Sequence, residues 1–280
     1  MRILENKAVV FLTKHGKEQV VRPLMERETG CRLITENRFD TDRLGTFTRD
    51  VRRVGTPMET ARKKIRIGLD LTDSDGAVAS EGSFGSHPYA PIPWNTEIVL
   101  YADRQTGLEV YGLYEGGDTN YGHLATADYS VALQFARTIG FPEHRVILRP
   151  DDETSPNLIR DIHTPDGLKE AFQWCAGKSA NGTVFLETDM RAYANPTRMK
   201  NIERATADLV TKLTRLCPQC GAYGFVVGEI VRGLPCETCG LPSEMTLKYV
   251  YSCHSCGHTQ DELHPKGSFC PAKYCQYCNP

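Results

Sequence analysis

Eight cysteines fall into four pairs of identical spacing: Cys217-x-x-Cys220, Cys236-x-x-Cys239, Cys253-x-x-Cys256 and Cys275-x-x-Cys278. A two-residue gap lets two thiolates of one tight turn face a single ion, and two such turns complete a tetrahedral sulfur site. Fifteen residues separate the first pair from the second, and eighteen separate the third from the fourth, so both halves match the zinc-ribbon template. Neighbouring pairs can share an ion. A cross-braced pairing, first with third and second with fourth, is equally open. Either way the spacing predicts two structural zinc ions, because each site has four thiolates and no open position for a substrate. Redox dithiols usually occur singly within a larger fold, which disfavours that reading of four pairs. Of the three remaining cysteines, Cys270 is a spare ligand, and Cys31 and Cys175 read as core thiols.

Three polar constellations sit where a strand hands over to a turn. Thr13-Lys14-His15-Gly16-Lys17 follows an apolar run and precedes an amphipathic segment. A strand, a glycine turn and a helix N-terminus form an anion seat, with Thr13, His15 and Lys17 as candidate phosphate contacts. In Ser80-Glu81-Gly82-Ser83-Phe84-Gly85, Glu81 is a candidate Mg²⁺ ligand beside glycines that let a ligand approach the backbone. In Glu187-Thr-Asp189-Met-Arg191, the two carboxylates share one side of an extended chain and could hold a divalent ion. Arg191 and Arg198 are candidate phosphate clamps. A serine nucleophile is disfavoured, since Ser83 lacks the full G-x-S-x-G elbow. The plain alternatives are a solvated turn at residues 13–18, a glycine-rich loop at 80–86, and a loop at 187–195 with Asn195 capping the next helix.

These residues need a frame that alternates strands and helices. Lys7–Thr13 reads as a buried strand, Glu18–Thr29 as a helix stopped by Gly30, and Cys31–Thr35 as a second strand, a βαβ opening. Thr56-Pro57-Met58-Glu59 is a helix start with a capping box, and Met58, Ala61, Ile65 and Leu69 form its buried stripe. A strand over 77–81 runs into the glycine loop, and segments 97–103 and 108–115 read as a hairpin around Gly107. Helices are expected over 130–139, 164–176 and from Asn195 to Leu216, with strands at 145–149, 157–162 and 183–188. The expected architecture is α/β: a mixed sheet with flanking helices, plus two small C-terminal zinc ribbons. Its divisions are an α/β core over 1–150, an α/β extension over 151–212 and a double ribbon over 213–280, with a polar seam at 150–156.

Charge refines the list of partners. The formal net charge is -2, so the chain as a whole is no polyanion binder. Arg49, Arg52, Arg53, Arg62, Lys63, Lys64 and Arg66 nevertheless crowd into one stretch, with Arg49 and Arg62 as candidate phosphate contacts. The ribbon segment is not basic, so sequence-independent phosphate binding there would be weak. Its Tyr249, Tyr251, Phe269, Tyr274 and Tyr277 could stack on nucleic-acid bases, or simply cover a metal-centred core. No stretch approaches the ~20 apolar residues of a membrane helix, and persistent thiols fit a reducing cytoplasm.

The strings His15-Gly-Lys-Glu18, Asp40-Thr-Asp-Arg43, Ala79-Ser-Glu-Gly-Ser-Phe-Gly85, Glu187-Thr-Asp-Met-Arg-Ala192 and the four CxxC pairs together resemble an uncharacterised bacterial family of unknown function. The N-terminal half is also similar to the inosine/xanthosine triphosphatase superfamily. The likeness lies in a strand–Thr13-x-His15-x-Lys17–helix opening and in a helix leading to a strand that ends in acid-Gly at Glu81-Gly82. In this chain His15 stands where that superfamily has Asn, and the ribbons are additional. That resemblance implies Mg²⁺-dependent hydrolysis of nucleoside triphosphates, with Lys17 on phosphate and Glu81 on the ion. The leading expectation is a Mg²⁺-dependent hydrolase of a nucleotide or other phosphate-containing substrate, with Glu81, Glu187 and Asp189 as catalytic carboxylates. The alternatives are a non-enzymatic ribbon adaptor for nucleic acid or protein, and an RNA- or DNA-processing enzyme.

Overall fold

A computed structural model describes residues 2–45, 55–87 and 89–279. Two compact units emerge: the chain through Gln105 together with Tyr111–Val210, and Thr106–Val110 together with the segment from Thr211 onward.

The first unit opens with β1 (Ala8–Leu12), α1 (Glu18–Thr29) and β2 (Arg32–Glu36), and β1 and β2 pair in parallel. Gly30, in the left-handed region at φ 80°, ends α1. A short 3₁₀ turn, Thr41–Leu44, follows. Helix α2 (Pro57–Leu71) starts at the expected capping box, in which the Thr56 hydroxyl accepts from the Glu59 N–H and the Glu59 carboxylate accepts from the Thr56 N–H. Next come β3 (Gly76–His87), β4 (Ala90–Asp103) and β5 (Glu109–Gly116). The five strands lie in the order β2-β1-β3-β4-β5, with β3 parallel to β1 and antiparallel to β4, so the sheet is mixed.

The glycine loop expected at 82–85 is strand. Gly82, Ser83, Phe84 and Gly85 pair with Glu97, Thr96, Asn95 and Trp94. β3 and β4 thus pair over a long stretch, and β4 and β5, neighbours in the same sheet, are the two strands expected on either side of Gly107. On one sheet face Val10, Ala77, Ala79, Leu100 and Ala102 pack against Ala61 and Ile65 of α2. The buried side of α2 also includes Thr60, Lys64 and Gly68, so its stripe is rotated from the expected one.

A second sheet is built from β6 (His123–Thr126), β7 (Val146–Pro150), β8 (Ile159–Ile162) and β9 (Val184–Thr188), in the order β6-β9-β7-β8 and antiparallel throughout. The polar break at 150–156 is the connection between β7 and its partner β8. Helices α3 (Tyr129–Thr138) and α4 (Pro165–Lys178) share a core with this sheet through Ala132, Ala136, Leu148, Phe172, Cys175 and Leu186.

Helix α5 (Pro196–Thr214) begins at Asn195, whose Oδ1 accepts from the Arg198 N–H at 3.0 Å. It lies so close to β5 that a Cβ on Gly112 would sit 1.9 Å from the Ala205 carbonyl and 2.3 Å from the Leu209 nitrogen. Neither backbone can yield easily. Gly112→Ala is expected to destabilise the first unit by about 3 kcal/mol or more, at or beyond the top of the usual overpacking range. Urea unfolding followed by tryptophan fluorescence checks this, because both tryptophans, Trp94 and Trp174, belong to that unit.

The second unit contains an antiparallel sheet of β10 (Val226–Arg232), β11 (Thr246–Ser252) and β12 (Thr259–Leu263), in that order. Its two small cores are centred on cysteines: Cys217, Phe225 and Cys253 in one, and Leu234, Cys236, Cys270 and Cys275 in the other. No described helix is long and apolar enough to cross a membrane.

Candidate functional site

Two features stand out: a buried cluster of charges at the end of β1, and two four-cysteine groups.

The charge cluster follows from strand lengths. β1 pairs with β3 only as far as Phe11↔Val78, and β3 runs on past that point. The carbonyl of Ser80 is thus left beyond the end of β1, and the Lys17 ammonium reaches it at 2.9 Å. Alternation along β3 puts Glu81 on the same face as Ala77 and Ala79, toward α2, where it meets Lys64 at 2.6 Å. Gly82 lies on the opposite face, directly across from Glu97. A Cβ there would come within 2.4 Å of the Glu97 carboxylate, so glycine leaves room for Glu97 rather than for a ligand. Glu97 in turn pairs with Arg198 of α5 at 2.8 Å, and the Arg198 guanidinium also donates to the Met190 carbonyl and lies over the Phe84 ring. Asn95 donates to Glu97 and is tied by Asn201.

Lys17, Lys64, Glu81, Glu97 and Arg198 are all buried. Among the described residues, three basic side chains, Lys17, Lys64 and Arg198, face the carboxylates of Glu81 and Glu97. Burial, reinforced by the neighbouring Arg198 and Lys64 charges, pushes the Lys17 amine down to about 7. The turn leading into α1 adds to the positive field. Among the described residues, no acceptor meets the backbone N–H groups of residues 15–18. On the rim, the His15 ring stacks on Tyr193 and its Nε2 lies 3.0 Å from Asp42 Oδ1. That hydrogen bond, with help from Lys14, holds the Asp42 carboxyl well below the usual carboxylate range.

The remaining candidates fall as follows. Thr13 is buried at the end of β1, its N–H on the Glu36 carbonyl. Glu187 pairs with Arg149 at 3.2 Å within the second sheet, and both are buried. Asp189 pairs with Arg191, which also reaches Asp161. Arg62 is exposed and lines a groove with Gly55, Glu59, Lys63 and Arg66, whereas its neighbour Lys64 enters the cluster. Arg49 lies outside the described residues. The structure thus brings Lys17, Glu81 and Arg198 together with two residues absent from the candidate list, Lys64 and Glu97. Glu97 carried a usable signal, as a carboxylate heading an apolar strand. Lys64 carried one too, as a cation on the inward side of α2. In the structure Glu81, Glu187 and Asp189 each pair with a basic side chain, Lys64, Arg149 and Arg191 respectively.

The cysteine groups pair first with third and second with fourth: Cys217, Cys220, Cys253 and Cys256 in one, Cys236, Cys239, Cys275 and Cys278 in the other. Neighbouring pairs do not share an ion. The closest sulfurs of different pairs are 3.6–3.8 Å apart. A tetrahedron with metal–sulfur bonds near 2.3 Å has edges of about 3.8 Å, so each group fits a metal ion. At three of the four turns glycine takes the left-handed conformation, at Gly221, Gly240 and Gly257. Cys270 is not a ligand of either group; its thiol is buried and donates to the Pro271 carbonyl. Cys31 and Cys175 are core thiols, and burial pushes Cys175 up to about 12. Among the described residues, only these two groups gather metal-ligating side chains this tightly.

A comparison with curated proteins finds no match. The matched span of a family model includes Lys64, Glu81, Glu97, Arg198 and the eight cysteines of the four pairs, with the Lys17 turn N-terminal to it. That model covers residues 64–280, and the chain accordingly belongs to the family described as Domain of unknown function (DUF6671).

Proposed function

We propose that the first unit binds a phosphate-containing substrate of the nucleotide class at the end of β1 and hydrolyses it. The observation that supports this reading is the gathering of Lys17, Lys64 and Arg198 in one buried site, beside a helix-entry turn whose amides meet no acceptor among the described residues. An anionic ligand would pair with such groups. Mg²⁺, in this reading, arrives on the substrate phosphates rather than in a preformed carboxylate cage, which is how such ions commonly enter phosphoryl-transfer sites. The four-cysteine groups would hold zinc as a structural ion, given all-thiolate ligand sets with no open position.

Titration calorimetry with inorganic tripolyphosphate, and turnover of a panel of nucleoside triphosphates with Mg²⁺, test the reading. Binding is expected, with at least tenfold loss in Lys17→Met. No binding and no turnover would falsify it. That outcome favours a docking module, for which the exposed Phe269, Tyr274 and Tyr277 in the segment carrying the fourth cysteine pair are the supporting observation.

A further inference from the structure

His15, a candidate phosphate contact by sequence, is held in the structure by contacts that suit a different role. Its Nε2 is held by Asp42 Oδ1 at 3.0 Å, and Asp42 is itself steadied by the Lys14 ammonium at 3.0 Å. Lys14 bridges on to Asp40, whose carboxylate accepts from the Asp42 N–H, so the carboxylate side of the pair is fixed by three contacts. The ring is stacked on Tyr193 at 5.6 Å, nearly parallel at 28°. Tyr193 is pinned by its hydroxyl on Asp161 and by the guanidinium groups of Arg145 and Arg191 over its ring. The imidazole is thus oriented from both sides. Its second nitrogen, Nδ1, has no hydrogen-bond partner among the described residues. The residue sits at the head of the 15–18 turn, whose amides are the proposed phosphate seat.

An imidazole with one N–H tied to a carboxylate presents the other nitrogen as a bare acceptor, the arrangement that makes a general base. A stacked surface histidine needs no such second anchor. We propose that the Asp42–His15 pair is the proton-accepting dyad of this site, with Asp42 as the positioning residue. This rests on the reading of the site as a phosphohydrolase. In the step, His15 Nδ1 takes a proton from water as the water oxygen bonds to phosphorus. The phosphorus–oxygen bond to the leaving group breaks, and its electron pair leaves with that oxygen. Asp42 stabilises the imidazolium, which then gives its proton to solvent or to the released phosphate. No oxidant or further reactant is required.

The test uses the full chain with its metal sites filled, the nucleoside triphosphate panel and Mg²⁺. His15→Gln keeps a donor for Asp42 but removes the base. It is expected to lower kcat by about 10²–10⁴-fold with KM nearly unchanged. His15→Ala is expected to lose as much and to regain part of its rate on addition of imidazole, which a structural role would not permit. Asp42→Asn is expected to lose less. Tripolyphosphate binding should survive in His15→Gln, which separates chemistry from the seat. Wild-type kcat in His15→Gln, or His15→Ala unresponsive to imidazole, overturns the dyad and leaves the phosphate reading standing. A wild type without turnover on the whole panel overturns the hydrolase reading, and the dyad with it.

Discussion

Lys17→Met is expected to make the first unit more stable at neutral pH while weakening anion binding at least tenfold. The ammonium sits on the Ser80 carbonyl in a buried site that already holds Lys64 and Arg198, and its amine is pushed down to about 7. In the unfolded chain the same amine titrates near 10.4. Below pH 7 both states carry the proton, and the cost of burying the charge is fully present. Between about 7 and 10.4 the unfolded chain holds a proton that the folded chain lacks, so unfolding free energy rises by about 1.4 kcal/mol per pH unit. Methionine removes that slope. It also leaves the Ser80 carbonyl without its donor, at a cost of about 1–3 kcal/mol. The net expectation is a variant about 1–3 kcal/mol more stable than wild type at pH 7, an advantage that disappears by about pH 9.5. Urea titrations at several pH values measure it. A variant less stable than wild type at pH 7 would show that the cluster is a structural network with Lys17 as an integral cation. Gain of stability with loss of binding is the signature of a residue kept for function.

The second large effect concerns the metals. Two zinc ions per chain are expected by elemental analysis, and removing them should unfold the second unit as one block. The reason is the interleaving. β10 leaves the turn of the first pair and ends at Arg232, four residues before Cys236; β11 returns from the second pair to Cys253; β12 leads on toward the fourth. Every strand therefore joins one metal group to the other. The cores are small, and cysteines make up much of each. Binding free energies for structural zinc of about 10–16 kcal/mol at pH 7 are then folding free energy for this unit. Native mass spectrometry during chelation should show chains with two metals or none, and few with one. Cys239→Ser, at the second group, should weaken the first group at least tenfold. An abundant one-metal species, or an unaffected first group in Cys239→Ser, would mean independent modules, as neighbour pairing of the cysteines implies.

Sequence spacing alone carried the paired cysteines that gather into four-sulfur groups, the capping box at Thr56 and the opening βαβ unit. These depend on residues within a turn or two of each other, so local geometry suffices. The spacing of four CxxC pairs did not say which pairs meet, because that depends on how β10, β11 and β12 fold back on one another. The glycine run at 82–85 shows the same limit. Glycine-rich composition suggests a loop, but twelve residues of pairing with β4 hold it extended, and Gly82 is there because Glu97 needs the space. Glu81 is a conspicuous acid in either reading, yet only the rotation of α2 shows that Lys64 already claims it.

From sequence the Lys17 turn is an anion seat of ordinary kind. What made it a buried charge cluster is that β1 stops short of β3, that α2 and α5 cover opposite faces of the same sheet, and that their cations, Lys64 and Arg198, arrive at the strand end from residues 47 and 181 positions away. Charges so distant in the chain can be summed only after the sheet order is known. The gathering of three basic side chains in one buried site is therefore a property of the tertiary structure, whereas the eight paired cysteines of the second unit could be counted in the sequence.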